Sequence, residues 1–346
     1  MSARESLLIV TQVMDERDPV LGFFVDWVRR LARDTTRHFI IACWKKGELT
    51  DLPSNIEVIA LPKGAWRRVC ALSLLSWKRR HEIVSVFVHM VPPVAVALGP
   101  LWRLLRMRIV LWYTHGTVSW SLVVATWFVH SIATATDETC RINSPKKQVL
   151  GHGIDLGLYQ PGSVKRQPIL LAVGRVAPRK NQMALIALCE RIHTRRPDLC
   201  FICRIIGGPR MEEDRAYLAE LERVVHEKRL ESIVLFEGSQ VGERVRAAFR
   251  TAACYVSVSL TGGLDKVVLE AMASKTPVLA LGQTYRHLPG VHVAASSWTE
   301  EDVDFVLQAL VERPAVAAAR EWVMHHANVE TLVKRLGALL FSYVRH

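Results

Sequence analysis

The sequence predicts an α/β protein made of two Rossmann-like units, and three observations carry that expectation. Apolar strand segments alternate with helical segments through both halves of the 346-residue chain, the pattern of parallel, doubly wound sheets. A polar stretch bearing Pro and Gly, GHGIDLGLYQPGSVKRQP at 151–168, separates the halves. In the second half, SVSLTGGLDKVVLEAMASKTPVLALG at 257–282 reads as strand, glycine turn, helix and strand. The length allows each unit its own core.

In the first half the expected strands are LLIVTQV, HFIIACW, NIEVIALP, IVSVFVHM, RIVLWYT and SIATAT, with helices such as GFFVDWVRRLAR between some of them. Ile109 to Thr136 carries no Lys, Arg, Asp or Glu and is long enough to span a bilayer. His115, Gly116, Thr117, Ser119, Ser121, Thr126, His130 and Ser131 interrupt it, so strand, helix (TVSWSLVVATWF) and strand are expected instead. The second half repeats the logic with ILLAVG, FICRIIGG, IVLFEG, CYVSVS, PVLALG and VHVAA, and with helices QMALIALCERIHTRR and EEDRAYLAELERVVHEKR. The expected domains are 1–155 and 156–326, followed by a C-terminal helix in 327–346, roughly Ala327–Val344. Asp302 and Asp304 form a DxD, but SSWTEED reads as a helix start with acidic first-turn residues.

The chain is 50% hydrophobic with a formal net charge of +12, which implies anionic partners: phosphorylated substrates, anionic lipid or nucleic acid. No nucleic-acid-binding motif is present, and no nucleic-acid partner is expected. LLIV is too short for a signal peptide, and Asp15, Glu16 and Asp18 follow it closely. The seven scattered cysteines suit a reducing compartment. Cys200 and Cys203 form a CxxC in an expected strand, whose alternation sends them to opposite faces, away from a shared metal. Between Lys63 and Arg108 the cations Lys63, Arg67, Arg68, Lys78, Arg79, Arg80, Arg103, Arg106 and Arg108 face a single acid, Glu82, and Trp66, Trp77 and Trp102 are interleaved. Basic residues with Trp on helices suit an anionic membrane surface.

Four places carry residues suited to chemistry. The glycine turn before DKVVLEAMASK presents free backbone N–H groups and a helix N-terminus, which favour an anionic ligand. Glu270, one turn further in, suits vicinal hydroxyls such as those of a ribose. In AVGRVAPRKNQ, Arg175 and Lys180 flank a strand-to-helix turn after Gly174 and suit a pyrophosphate. His115 ends a strand, where ligands bind in open α/β sheets; His89 ends another, but the two prolines after it leave it less well placed at a helix start. Gly22 opens a helix after a strand and loop.

LEAMASKTPVLA resembles the donor-binding helix of retaining GT-B glycosyltransferases of the GT4 group. The usual pattern there is a Glu, seven residues, then the Glu of LEAMA. Here the second is Glu270 and Gly262 stands at the first position, so that carboxylate is missing. VLGHGIDLGLYQP resembles the family's interdomain segment, with His152 in place of the common Asn and with Asp155 and Pro161 matching. The resemblance is clear over about 150–282 and weaker over 7–140.

The resemblance implies a GT-B fold, two Rossmann-like domains facing an interdomain cleft, and retaining, metal-independent transfer with no cofactor. The donor would be a nucleoside-diphosphate sugar. The acceptor would be a glycan or lipid-linked molecule at the cytoplasmic membrane surface, with the protein peripheral on its inner face. Arg175 and Lys180 would neutralise the leaving diphosphate, and Glu270 would hold the ribose. Gly174, Gly262, Gly263, Leu264, Asp265 and Lys266 would line the donor site. The Gly22 loop would approach the donor phosphates, and His115 would contact the sugar. FEGSQVGERV corresponds to a region near the nucleotide base. Two alternatives stay open at this point: a catalytically silent partner subunit and a sugar phosphorylase.

Overall fold

The computed structural model describes residues 5–18, 20–33, 35–162, 165–260 and 262–342. Thr261 of the glycine turn, and Tyr343 and Val344 of the expected terminal helix, lie outside the described residues. The chain divides into two compact units, Met1–Gly153 with Val329–His346, and Ile154–Asn328.

The first unit runs β1 (Ser6–Met14), α1 (Gly22–Ala32), β2 (His38–Lys46), β3 (Ile56–Ala60), α2 (Ala65–Lys78), β4 (Ile83–His89), α3 (Pro92–Leu104), β5 (Arg108–Trp112), α4 (Trp120–Phe128), β6 (Ser131–Thr134) and β7 (Lys147–Val149). The sheet order is β3-β2-β1-β4-β5-β6-β7 and its ladders are parallel. Alternation sorts the apolar runs to two buried faces. Leu8, Val10, Ile40 and Ala42 pack with Leu72, Leu98, Trp102 and Leu122 from α2, α3 and α4. Leu7, Ile9, Phe39 and Ile41 pack with Phe24 and Val28 of α1 on the other face. The uncharged stretch is indeed divided among β5, α4 and β6. Among the described residues no helix is long and apolar enough to cross a membrane. Strand β7 (KQV) is short and largely exposed at the sheet edge, so no hydrophobic pattern announces it.

The second unit runs β8 (Gln167–Val173), a 3-10 turn (Pro178–Lys180), α5 (Gln182–Arg195), β9 (Ile202–Ile206), α6 (Glu212–Glu227), β10 (Val234–Phe236), α7 (Glu243–Thr251), β11 (Ala252–Ser257), α8 (Lys266–Ala273), β12 (Val278–Leu281), β13 (Val291–Ala294), α9 (Glu300–Glu312) and α10 (Ala317–His326). Its sheet order is β10-β9-β8-β11-β12-β13, again with parallel ladders. Leu170, Ala172, Cys203 and Ile205 pack under α5, α6 and α9. Ile169, Leu171 and Ile206 pack with Val268, Leu269 and Met272 of α8.

The last helix, α11 (Val329–Phe341), belongs to the first unit. Its Val329, Leu332, Leu336 and Leu340 complete the apolar face beside Phe24, Trp27 and Val28. Glu330 pairs with Arg30, and Arg108 donates to the Leu339 carbonyl.

Three local expectations need correction. Helix α4 starts at Trp120, three residues later than read, because the Ser119 hydroxyl caps it by accepting from the Leu122 N–H at 3.2 Å. The prolines after His89 do not keep it from a helix start: Pro92 opens α3, where a missing N–H costs nothing. Cys200 lies exposed before β9, which begins at Ile202, while Cys203 is buried against Cys189.

Candidate active site

In the second unit the sheet order reverses between β8 and β11, where consecutive crossovers leave in opposite directions. Such a switch point opens a crevice at the carboxyl ends of the two strands. A hollow is found there. It is lined by Val173 and Gly174 at the end of β8, Ser257 and Ser259 after β11, and Lys180, Gln182 and Asp265.

The strand ends around it are bare backbone. Gly174 has φ +149° and Gly207, after β9, has φ +148°. A Cβ on Gly207 would stand 1.8 Å from the Gly174 carbonyl oxygen, so only glycine allows these two chains to approach. Gly207 in turn donates its N–H to the Gly238 carbonyl after β10, at 2.8 Å.

Lys180 ends the 3-10 turn, and Asn181 follows in the left-handed region (φ 52°) to start α5. The Lys180 Nζ donates to Asp265 Oδ2 at 2.9 Å, to Oδ1 at 3.1 Å and to Ser259 Oγ at 3.3 Å. Arg175 takes a different partner. Its Nε stands 3.8 Å from Asp214 Oδ2 near the start of α6. Burial works against the charge on Asp214. The N–H groups of Arg210 and Met211 and the charges of Arg175 and Arg179 outweigh it and hold the carboxyl below its usual range.

Gly262 is exposed with φ +68°, and the Gly263 carbonyl accepts from the Tyr285 hydroxyl at 3.4 Å. The Leu264 side chain is buried in the core beneath α8. Asp265 is the N-cap residue of α8, yet its side chain caps nothing. Glu270 is buried, with Lys266 Nζ 3.5 Å from its Oε1. Burial and then the Glu270 charge push the Tyr159 hydroxyl far above its usual range, so it stays a donor beside that carboxylate.

Two arginines, Arg166 buried and Arg320 half-buried, hold the far end of α8. Arg166 donates to the carbonyls of Ser274 (2.9 Å), Ala252 (2.8 Å) and Phe249 (3.2 Å) and to Thr276 Oγ1 (2.9 Å). Arg320 donates to the carbonyls of Ala273 and Tyr159.

The first unit places its own residues separately. His115 lies exposed in the loop between β5 and α4. His89 is buried, stacked on Phe24 with ring centroids 3.8 Å apart, and shares a 3.0 Å hydrogen bond with Thr11. Gly22 starts α1, and a Cβ there would stand 2.7 Å from the Glu16 carbonyl oxygen.

Sequence reading brought Gly174, Lys180, Asp265 and Glu270 to one end of one sheet. It did not anticipate Asp214, which lies outside any recognisable motif, Tyr159, to which the interdomain segment gave no role, or Gln182. The Gln182 amide donates to the Arg175 carbonyl at 3.0 Å while its buried oxygen makes no hydrogen bond. Neither Asp302 nor Asp304 faces this hollow's lysine: Asp302 closes a capping box with Thr299 and meets His292 at 2.8 Å, and Asp304 pairs with Arg195 at 2.7 Å. Among the described residues no group of three or more His, Cys, Asp or Glu could hold a metal ion.

Residues 167–312, which contain this site, match the family model Glycosyl transferases group 1. This segment belongs to the group 1 glycosyltransferases. The GDP-mannose-dependent alpha-(1-6)-phosphatidylinositol monomannoside mannosyltransferase of Mycolicibacterium smegmatis is 27% identical over 304 residues, covering 75% of this chain and 77% of the relative. The lipopolysaccharide core biosynthesis mannosyltransferase LpcC of Rhizobium leguminosarum bv. viciae is 24% identical, over 80% of this chain and 81% of that one. The crystal structure of Anabaena HepE in complex with UDP matches with a TM-score of 0.76 at 14% identity, over 98% of this chain and all of that one. The glycosyltransferase thus has the GT-B fold, two Rossmann-like domains each with a parallel sheet.

Proposed function

We propose that this glycosyltransferase moves a sugar, with retention, from a nucleoside-diphosphate sugar to a glycan or lipid-linked acceptor at the inner face of a membrane. The observation that carries the donor half is Lys180. Its ammonium lies at the switch-point hollow, beside the glycine-edged strand ends and the start of α8. Backbone N–H groups at a helix N-terminus and a fixed cation stabilise the charge that develops on a departing diphosphate. Arg175 is the second cation of this reading, turning from Asp214 to the phosphates. Glu270, one turn into α8 and held between Lys266 and Tyr159, takes the ribose hydroxyls. Gly174, Gly263 and the Leu264 N–H border the donor, with Gly262, Asp265 and Lys266 beside them; Gly22 and His115 serve from the first unit. Lys180 and Arg175 carry the phosphate charge here, and the reading calls for no metal.

The acceptor half rests on the helical layer of the first unit. Helices α2, α3 and α4 cover one face of its sheet. Trp66 (76% exposed), Trp77 (51%), Trp120 (73%) and Trp127 (71%) stand out from this layer, with Leu74, Leu104 and Val123. Trp120, Val123 and Trp127 share one side of α4 by their spacing. Arg67, Arg68, Lys78, Arg80, Arg103 and Arg106 lie near Trp66, Leu74, Trp77 and Leu104 in sequence, while α4 itself carries no cation. Exposed Trp among cations suits an interface with anionic lipid. Two relatives whose names specify a phosphatidylinositol mannoside and a lipopolysaccharide core support a lipid-linked acceptor.

The test is a screen of nucleotide sugars for thermal stabilisation, since a ligand that binds the native state raises its melting temperature. One nucleotide sugar should stabilise the wild type and fail to stabilise Lys180→Ala. The same donor should be turned over in EDTA. Equal stabilisation of both proteins would remove Lys180 from the site; loss of turnover in EDTA with rescue by Mg²⁺ or Mn²⁺ would overturn the metal-free reading.

A further inference from the structure

Asp265 stands where a helix N-cap belongs, and such residues ordinarily accept from an N–H of the first turn. Its carboxylate makes no such bond. Both oxygens turn to Lys180 instead, at 2.9 and 3.1 Å, with only 18% of the Asp265 side chain and 24% of the Lys180 side chain exposed. An ammonium has three hydrogens, and Ser259 Oγ at 3.3 Å supplies a third acceptor. The lysine that would receive a diphosphate is therefore already neutralised and fully bonded. Tyr285, whose hydroxyl is pushed up to about 12 by burial and then by the Asp265 charge, stays neutral beside it and offers no competing charge.

We propose that Asp265 is the built-in counter-ion of Lys180, holding the lysine when no diphosphate is bound and competing with the product diphosphate for it, so that the diphosphate leaves more readily. The inference rests on the donor-site reading above. Its physical content is an exchange. A diphosphate oxygen that approaches Lys180 must displace a carboxylate oxygen, and the displaced carboxylate then lies close to a second anion. Both effects weaken diphosphate binding, and both disappear if residue 265 keeps its shape and loses its charge. An ordinary structural ion pair makes the opposite prediction, because its loss would loosen the lysine and weaken binding.

The experiment is calorimetric titration of wild type and Asp265→Asn with UDP and with GDP, with Asp304→Asn as a control. Asp304 pairs with Arg195 at the surface, so that control adds the same net charge away from the hollow. Asn is itself a good N-cap residue, and Asp265→Ser serves as a second neutral variant if the Asn protein folds poorly. The expected result is about tenfold tighter binding of a nucleoside diphosphate by the neutral variants, a charge-assisted contact having been released. Asp304→Asn should bind as the wild type does. Unchanged or weaker binding by the neutral variants, with measurable wild-type binding, would overturn the counter-ion role and leave the donor site standing. An equal gain in Asp304→Asn would also overturn it, by showing a general charge effect. Binding of neither diphosphate by any of the proteins would overturn the donor site, and this inference with it.

Discussion

Arg166 donates to the Ser274 carbonyl at 2.9 Å, joining the start of β8 to the end of α8 across 108 residues of sequence. With its bonds to Phe249, Ala252 and Thr276 it ties together the ends of α7 and α8 and the start of β11. Burial lowers its pKa from the usual arginine value, yet the group stays cationic and its carbonyl partners absorb the charge. Arg166→Met should leave several buried carbonyls unbonded and cost about 3–5 kcal/mol of stability. Urea denaturation followed by circular dichroism reads this directly. A loss within 1 kcal/mol would mean that water or a rearranged backbone replaces the guanidinium.

The two cations should act alike on turnover. Lys180 already points into the hollow and Arg175 must turn from Asp214, but both act on charge that develops late. Alanine at either position should lower kcat on the order of a hundredfold. Glu270→Ala should chiefly raise KM, because a ribose contact is made equally in ground and transition states. Steady-state kinetics on one donor checks all three, and near-normal kcat/KM in both cation variants would remove the phosphate assignment.

Charge and tryptophan should act together at the membrane. Wild type should bind anionic vesicles and release them as salt rises, since exposed charges are screened over about 8 Å at physiological ionic strength. Replacing Trp120 and Trp127 by Ser should weaken binding with little change in the salt dependence. Reversing Arg67, Arg68 and Arg80 to Glu should abolish it. Vesicle co-sedimentation separates the two effects, and a wild type that ignores anionic vesicles at low salt would leave this layer merely solvated.

Acid should destabilise the protein through buried His89 and half-buried His130. Burial holds His89 down to about 3. Burial, with Arg103, Arg108 and Lys146, holds His130 down to about 4. Unfolded histidine titrates near 6.5, so below that pH the unfolded chain binds protons that the folded one refuses. The stabilisation is complete above about pH 6.5 and declines as pH falls toward the folded values. His89 alone should cost about 2 kcal/mol at pH 5. His89→Phe should flatten that part of the stability–pH curve; an unchanged slope would show that His89 is protonated in the folded state.

The apolar runs and their alternation were enough to locate the strands of both sheets, with the exception of β7, whose three largely exposed residues, KQV, are too few to carry a pattern. The glycines and the LEAMA helix marked the switch-point end of the second sheet because a tight backbone approach tolerates only Gly there. Which charge meets which was beyond that reading. Lys180 and Asp265 lie 85 residues apart and become neighbours only because β11 pairs with β8. Arg175 turns to Asp214, brought close by α6 following β9. His89 and His115 both follow strand ends, yet α1 buries one under Phe24 while the loop before α4 leaves the other exposed. Periodicity encodes which face of its own strand or helix a side chain takes. Strand order and helix docking, set by the packing of the whole core, decide what that face meets.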